Sequence, residues 1–300
     1  MVVQSNKLEG ALWSYSAPPA MDALQLRQWL DLLTQRTGIK WPIKRKSFLL
    51  TSLITRMREL GFSSYDVYFQ YLISGRRGAV EWEILVEYLT VHESRYYRDQ
   101  LSLSFVRDIF LPAYCEKFKD KPVNINVWSI GCATGEEPYS LAMLIDNYFT
   151  RKSLNAYYSI TASDVSAASL STARKAIYHV NRLKELPKDF LKYYFTCHDE
   201  NHFQVRPHIK DRVCFTRLNI IRLSNTKVGM MDLIYCQNVL IYFNRKDRNL
   251  IVDEMVKHLQ PGGILILGAG EISDWNNKDM EQISFHGALI FRRKLFEERK

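Results

Sequence analysis

No apolar run in the chain approaches the ~20 residues that a membrane-spanning helix requires, so a soluble protein with no direct membrane insertion is expected. There is also no Cys-x-x-C. The five cysteines, Cys115, Cys132, Cys197, Cys214 and Cys236, are scattered and odd in number. Neither a disulfide framework nor a zinc ribbon is indicated, and reduced thiols are expected. Internal repeats and low-complexity tracts are missing as well. The first residues carry Glu9 where a basic segment would stand and no apolar core before Ala17-Pro18-Pro19, so they do not read as a secretory signal and a cytoplasmic location is expected. Acid is missing in one informative place: Lys40, Lys44, Arg45, Lys46, Arg56 and Arg58 fall in a stretch without a single Asp or Glu. Together with a net charge of +9, that run points to an anionic partner, either nucleic acid or an acidic protein surface, met by the N-terminal part. A solvated helix face is the plain alternative.

What is present has globular proportions, 47% hydrophobic and 24% charged over 300 residues, enough for one large α/β domain and a smaller one. After a start expected to be disordered through residue 20, apolar residues recur at helical spacing in Leu24, Leu26, Leu30 and Leu33, then in Phe48, Leu49, Leu53, Ile54 and Met57. Gly61 ends the second helix, Ser64 is placed to cap a third through Ile73, and a fourth follows Gly75 to Gly78. Residues 21–91 therefore read as a helical domain and 92–122 as a linker with a helix over Phe105 to Phe118.

From Val123 the periodicity changes. Val123 to Ile130 reads as a buried strand, Gly131 to Gly135 as a turn and Pro138 to Tyr148 as a helix. The pattern recurs with strand Tyr157 to Ala162 and a helix after Asp164, then strand Met231 to Cys236, helix Arg245 to Leu259 and strand Gly263 to Leu267. Such alternation predicts a doubly wound, Rossmann-like parallel sheet over residues 123–294. Two short segments, Asn201 to Arg206 and Arg212 to Phe215, interrupt it and predict a small antiparallel β-subdomain inserted at about 192–216.

Gly131-Cys132-Ala133-Thr134-Gly135 follows a strand and opens a helix, which lets a nucleotide-like ligand lie close to backbone. Asp164, at the end of the next strand, can accept both hydroxyls of a ribose; a helix N-cap is its alternative. The turn runs into Glu136 and Glu137, whose charge would repel a pyrophosphate and disfavours NAD. A sulfonium and an ammonium suit that position, as S-adenosylmethionine provides, although acids also favour any helix first turn. Gln237 and Asn238 leave the Met231 to Cys236 strand at the ligand edge of the sheet, as cofactor contacts or, for Asn238, as a strand-end cap. Cys197, His198, His202, His208 and Cys214 fall in the inserted segment, but their spacings match no standard zinc pattern and no metal is expected.

Four blocks resemble the chemotaxis receptor glutamate O-methyltransferases of the CheR family. They are Ser94-Arg95-Tyr96-Tyr97-Arg98, Trp128-Ser129-Ile130-Gly131-Cys132-Ala133-Thr134-Gly135-Glu136-Glu137-Pro138-Tyr139-Ser140, Ala162-Ser163-Asp164-Val165 and Cys236-Gln237-Asn238-Val239-Leu240-Ile241-Tyr242-Phe243. With the basic helical N-terminus the likeness spans about residues 22–294. It implies S-adenosylmethionine as methyl donor, with S-adenosylhomocysteine as product. Implied cofactor contacts are His92, Ser94, Arg98 at the methionine carboxylate, Gly131, Ala133, Glu136 at the amino-acid end, Asp164 at the ribose, Asn219 and Ile220 near the adenine, Gln237 and Asn238. His92 and Ser94 stand where the family usually has Asn and Thr, and Gln237 replaces an arginine. The resemblance further implies that the helical domain, with Arg56 and Arg58 on its basic second helix, recognises the helical bundle of a chemoreceptor, and that the β-subdomain can dock a receptor tail peptide.

A glutamate carboxylate, with a pKa of ~4.3, is ionised near neutrality and requires no general base to attack a sulfonium methyl. No Ser, Cys or His nucleophile is expected; Arg98, Asn238 and Tyr242 are the candidates for organising the reaction. A nucleic-acid methyltransferase would fit the basic charge, but base N-methylation usually goes with an Asn/Asp-Pro-Pro-Tyr turn where this chain has Gln-Asn-Val-Leu, so no nucleic-acid partner is expected. A cofactor-binding adaptor without turnover is the remaining alternative.

Overall fold

Asp22 starts the first described helix by a reciprocal cap. Its carboxylate accepts the Gln25 N–H at 2.8 Å while the Gln25 side chain accepts the Asp22 N–H at 3.1 Å. The helix α1 (Ala23–Thr37) then runs to Gly38, whose left-handed φ of 75° closes it. The computed structural model describes residues 20–38, 46–89, 94–118 and 121–295. Most of the start expected to be disordered, Lys40, Lys44 and Arg45 of the basic run, and His92 lie outside these residues. α2 (Lys46–Leu60) ends at Gly61, where the Phe62 N–H returns to the Met57 carbonyl at 2.7 Å. α3 (Tyr65–Ile73) and α4 (Gly75–Leu89) complete the helical domain. Ser64 occupies the N-cap of α3 but its hydroxyl makes no capping bond. Trp29, Leu33, Leu49, Leu53, Met57, Tyr68, Leu72 and Leu85 form the core.

Arg56 belongs to that core, and this corrects its expected place on a recognition face. It is 8% exposed. Its Nε and Nη2 donate to the two carboxylate oxygens of Glu81 at 2.9 and 2.6 Å, and the Tyr68 hydroxyl donates to the same carboxylate at 2.7 Å. The physical reason lies in the spacing. Arg56 falls seven residues after Leu49 and three after Leu53, on the buried stripe of α2. Arg58 is exposed.

The linker continues as α5 (Gln100–Phe105), a π turn at Val106–Phe110 and α6 (Leu111–Lys117). The second domain follows as β1 (Val123–Ile130), α7 (Glu136–Arg151), β2 (Ala156–Asp164), α8 (Ala167–Lys175), β3 (Ile177–His179), α9 (Lys188–Tyr194), β4 (Phe195–Cys197), β5 (His202–Val205), α10 (Pro207–Lys210), β6 (Val213–Arg217), β7 (Met231–Cys236), α11 (Arg245–Lys257), β8 (Leu259–Leu267), β9 (Met280–Ile283) and β10 (Leu289–Arg293). The main sheet has the order β6-β2-β1-β7-β8-β10-β9, parallel from β6 to β8 and antiparallel at β10 and β9. Successive strands step outward in opposite directions on either side of β1, so the C-terminal ends of β1, β2 and β7 border a crevice at the switch point.

The small antiparallel sheet is there, in the order β3-β5-β4, but its membership differs from expectation. Val213–Arg217, expected within the insertion, pairs parallel with β2 at the edge of the main sheet, because Val213 and Phe215 pack against the buried Cys132, Ala162 and Leu170. The insertion instead recruits β3, which is too short to show a period of its own. No helix among the described residues is long and apolar enough to cross a membrane.

Candidate active site

A cavity of about 340 Å³ occupies the crevice, within the range of small-molecule sites. Its floor is the turn after β1. Gly131 has φ 76°, and a Cβ there would stand 2.1 Å from Val239 Cγ2, so only glycine lets this turn and the loop after β7 meet. Ala133 also adopts a positive φ, of 45°. That conformation is supported by Asp164, whose carboxylate accepts the Ala133 N–H at 2.8 Å and the Ser166 N–H at 2.9 Å. The cap of α8 is Ser166, through the Ser169 N–H, so the capping role considered above for Asp164 falls to Ser166, and Asp164 lines the cavity.

The glutamate in the cavity wall is Glu137, not the expected Glu136. Glu136 is fully buried behind the turn, where it accepts from Thr134 Oγ1 at 2.7 Å and pairs with Arg182. Adjacent helical residues point ~100° apart, so with Gly135 fixing the helix start only one of the two glutamates can face the strand ends. Glu137 accepts from Ser129 Oγ at 2.6 Å. Burial pushes its carboxyl up to about 8, with Glu271 and Asp99 adding to the rise and Ser129 and Arg98 opposing it.

Arg98 reaches the cavity from the linker. Its approach is set by the aromatic pair before it: Tyr96 is fully buried edge-on against Tyr178, centroids 5.2 Å apart, and Tyr97 packs edge-on against Phe190 at 5.6 Å. Ser94 lines the cavity beside it, and the exposed Arg95 pairs with Glu185 at 2.7 Å. Asp99 caps α5 by accepting the Ser102 N–H at 3.1 Å. Gln237 Nε2 donates to Ser102 Oγ at 3.1 Å and to the Leu267 carbonyl at 3.3 Å, tying the linker to the sheet.

Asn238, at φ 59°, and Tyr242 line the same cavity. Asn219, Ile220 and Thr37 of α1 line it as well. The Asn219 side chain donates to the Arg36 carbonyl at 3.2 Å and accepts the Ile221 N–H at 3.2 Å, so it joins the helical domain to the cavity wall. The structure thus gathers Ser94, Arg98, Gly131, Ala133, Asp164, Asn219, Ile220, Gln237, Asn238 and Tyr242 around one space, and leaves Glu136, Arg56 and Arg58 out of it. Missed by the sequence reading were Thr37, Asp99 and Tyr235 in the wall and Glu271 behind it. Thr37 and Asp99 belong to no motif, and Glu271 could have been found only by following β8 to its C-terminal end.

The matches to known families follow the same division of the chain. Residues 24–90 match the model of the CheR methyltransferase all-alpha domain and residues 92–288 that of the CheR methyltransferase SAM binding domain. The chain belongs to the CheR methyltransferase family. A chemotaxis protein methyltransferase of Borreliella burgdorferi is 28% identical, covering 86% of this chain and 91% of the relative. Chemotaxis protein methyltransferase 2 of Vibrio cholerae is 30% identical over 80% of this chain and 83% of its own length, and the Escherichia coli chemotaxis protein methyltransferase 29% identical over 84% and 85%. This CheR protein is a methyltransferase and its cofactor is S-adenosylmethionine. The cavity fits that molecule in kind: Glu137 would set a carboxyl group toward a cationic amino-acid end, and Asp164 would set a held carboxylate toward a ribose.

Proposed function

We propose that this CheR enzyme forms methyl esters on glutamate side chains in the cytoplasmic helical bundle of chemoreceptors, in a chemosensory pathway. The observation that supports it most is the convergence of Arg98, Asn238 and Tyr242 on the cavity that also holds Asp164 and Glu137. Bound there, S-adenosylmethionine supplies an electrophilic methyl group. Arg98 would hold the methionine carboxylate and Glu137 the ammonium, fixing the donor's amino-acid end. Asn238 and Tyr242 would orient the incoming carboxylate, which attacks without a base because it is already ionised. Exposed Arg58 would favour an acidic receptor surface, and the β-subdomain, with β4 at the edge of its sheet, would take a receptor tail as an added strand.

The test is transfer of labelled methyl to cytoplasmic fragments of the host's receptors. Base-labile label that disappears in Glu→Ala receptor variants is expected. Base-stable label, or none on a complete receptor set despite cofactor binding, would refute the assignment.

Glu137 adds a pH signature. In the free protein its proton is held until about pH 8, and pairing with a cation requires the anion. Cofactor affinity should therefore rise with pH up to about 8, with up to a tenfold loss per unit below it, and decline again at higher pH, where the donor's α-ammonium, of ordinary pKa ~7.7–8.0, gives up its proton. Calorimetric titrations across this range should show the slope in the native enzyme and a flatter, weaker profile in Glu137→Gln; a native profile that is flat removes Glu137 from the cofactor contacts.

A further inference from the structure

We propose that Glu271 and Arg248 are positioning residues for methyl transfer, clamping the loop from Gln237 to Phe243 so that Asn238 and Tyr242 face the cavity. The inference rests on the placement of those two residues in the active site proposed above. Neither Glu271 nor Arg248 lines the cavity.

The loop cannot hold its own shape. Within it the backbone closes only through the short turn in which the Tyr242 N–H reaches the Val239 carbonyl at 3.2 Å and the Phe243 N–H the Leu240 carbonyl at 3.0 Å. Asn238 adds a left-handed φ of 59°, which asparagine tolerates better than other non-glycine residues but which does not fix the rest of the loop. Glu271, 1% exposed just beyond β8, supplies the acceptors. Its carboxylate takes the Gly268 N–H at 2.9 Å and the Ile241 N–H at 3.3 Å, and the amides of Asn238 and Leu240 are directed at it too. Arg248 of α11 supplies the donors. Its guanidinium reaches the Phe243 carbonyl at 2.8 Å, the Glu271 carbonyl at 2.7 Å and the Ile241 carbonyl at 3.4 Å.

One buried anion therefore gathers the loop's N–H groups while one planar cation gathers its C=O groups, and each is matched to its partners by shape as well as charge. The clamped loop sits on the glycine turn, since Val239 fills the space beside Gly131. A shift of the loop would move Asn238 and Tyr242 relative to the turn that carries the cofactor. A misplacement of about 1 Å at such a site can lower a rate by about a hundredfold.

Glu271→Gln keeps the size of the side chain, removes its charge and turns an N–H₂ toward backbone amides. In the full-length enzyme, hydrogen exchange at the amides of residues 238, 240, 241 and 268 should accelerate about tenfold or more while the amides of β1 and β7 keep their protection. Single-turnover methyl transfer to receptor fragments should fall by about tenfold to a hundredfold. Arg248→Lys, which keeps the charge but not the fork, should show the same pattern in smaller measure and serves if Glu271→Gln folds poorly. Because Glu271 acts through Asn238, the double variant Glu271→Gln, Asn238→Ala should be scarcely slower than Asn238→Ala alone. Unchanged exchange in the loop overturns the clamp. Losses that multiply in the double variant overturn positioning through Asn238. If Asn238→Ala transfers methyl at the native rate, the active-site placement fails and positioning falls with it, and the exchange data still report separately whether the loop is clamped.

Discussion

Asp164→Ala is expected to weaken S-adenosylmethionine binding by about a hundredfold or more, from the loss of charge-assisted hydrogen bonds worth ~1.5–3 kcal/mol each. The carboxylate acts on both sides of the site. Toward the protein it holds the Ala133 and Ser166 amides, and with them the positive φ of Ala133 in the turn that floors the cavity. Toward the cavity, which it lines, it would in the proposed site also accept from the ribose hydroxyls. Alanine removes both functions, whereas Asp164→Asn retains one acceptor and should lose only about tenfold, near the value of a single such bond. Calorimetry on the two variants separates these cases. An alanine variant that binds within a factor of about three of the native enzyme, less than one ordinary hydrogen bond, would mean that the turn stands without Asp164 and that the ribose is held elsewhere.

The legible parts of this fold are those in which burial runs along consecutive residues. β1 and β7 match the expected Val123 to Ile130 and Met231 to Cys236 residue for residue, because their C-terminal halves, Val127 to Ile130 and Leu233 to Cys236, are interior parallel strand buried on both faces and read as largely apolar runs. β6 lies at the sheet edge with no fully buried residue, the same signature as a strand of a small antiparallel sheet, so its sequence alone points to the wrong sheet. The glycine turn, Asp164 and the Gln237-Asn238 pair were legible because each follows a strand at the switch-point edge. The choice between Glu136 and Glu137 was not, since it depends on the rotational phase of α7 at its first residue. Glu271 was illegible for another reason: three of its four amide partners, those of Asn238, Leu240 and Ile241, come from a loop some thirty residues earlier, and no local pattern announces a carboxylate that serves backbone.

Arg56 shows how composition misleads when a charge has a distant partner, and Arg56→Ala should reveal it as a loss of stability. The variant would leave Glu81, 3% exposed, with the Tyr68 hydroxyl as its remaining donor among the described residues. Breaking a buried pair in this way costs about 3–5 kcal/mol. Urea denaturation should show the helical domain unfolding earlier by that amount, while removal of both charges in Arg56→Met, Glu81→Leu should recover most of it, because no uncompensated ion is then left inside. Arg58→Ala is the contrast. On an exposed face it should change stability by no more than about 0.5 kcal/mol and instead slow receptor methylation at low ionic strength, an effect that fades as salt screens the attraction. An Arg56→Ala enzyme of native stability that nonetheless loses affinity for receptor would return Arg56 to the recognition surface. The alternative outcome leaves Arg58, and whichever other exposed cations of the helical domain share its salt dependence, to carry the electrostatic part of recognition, with Arg56 holding together the scaffold that presents them.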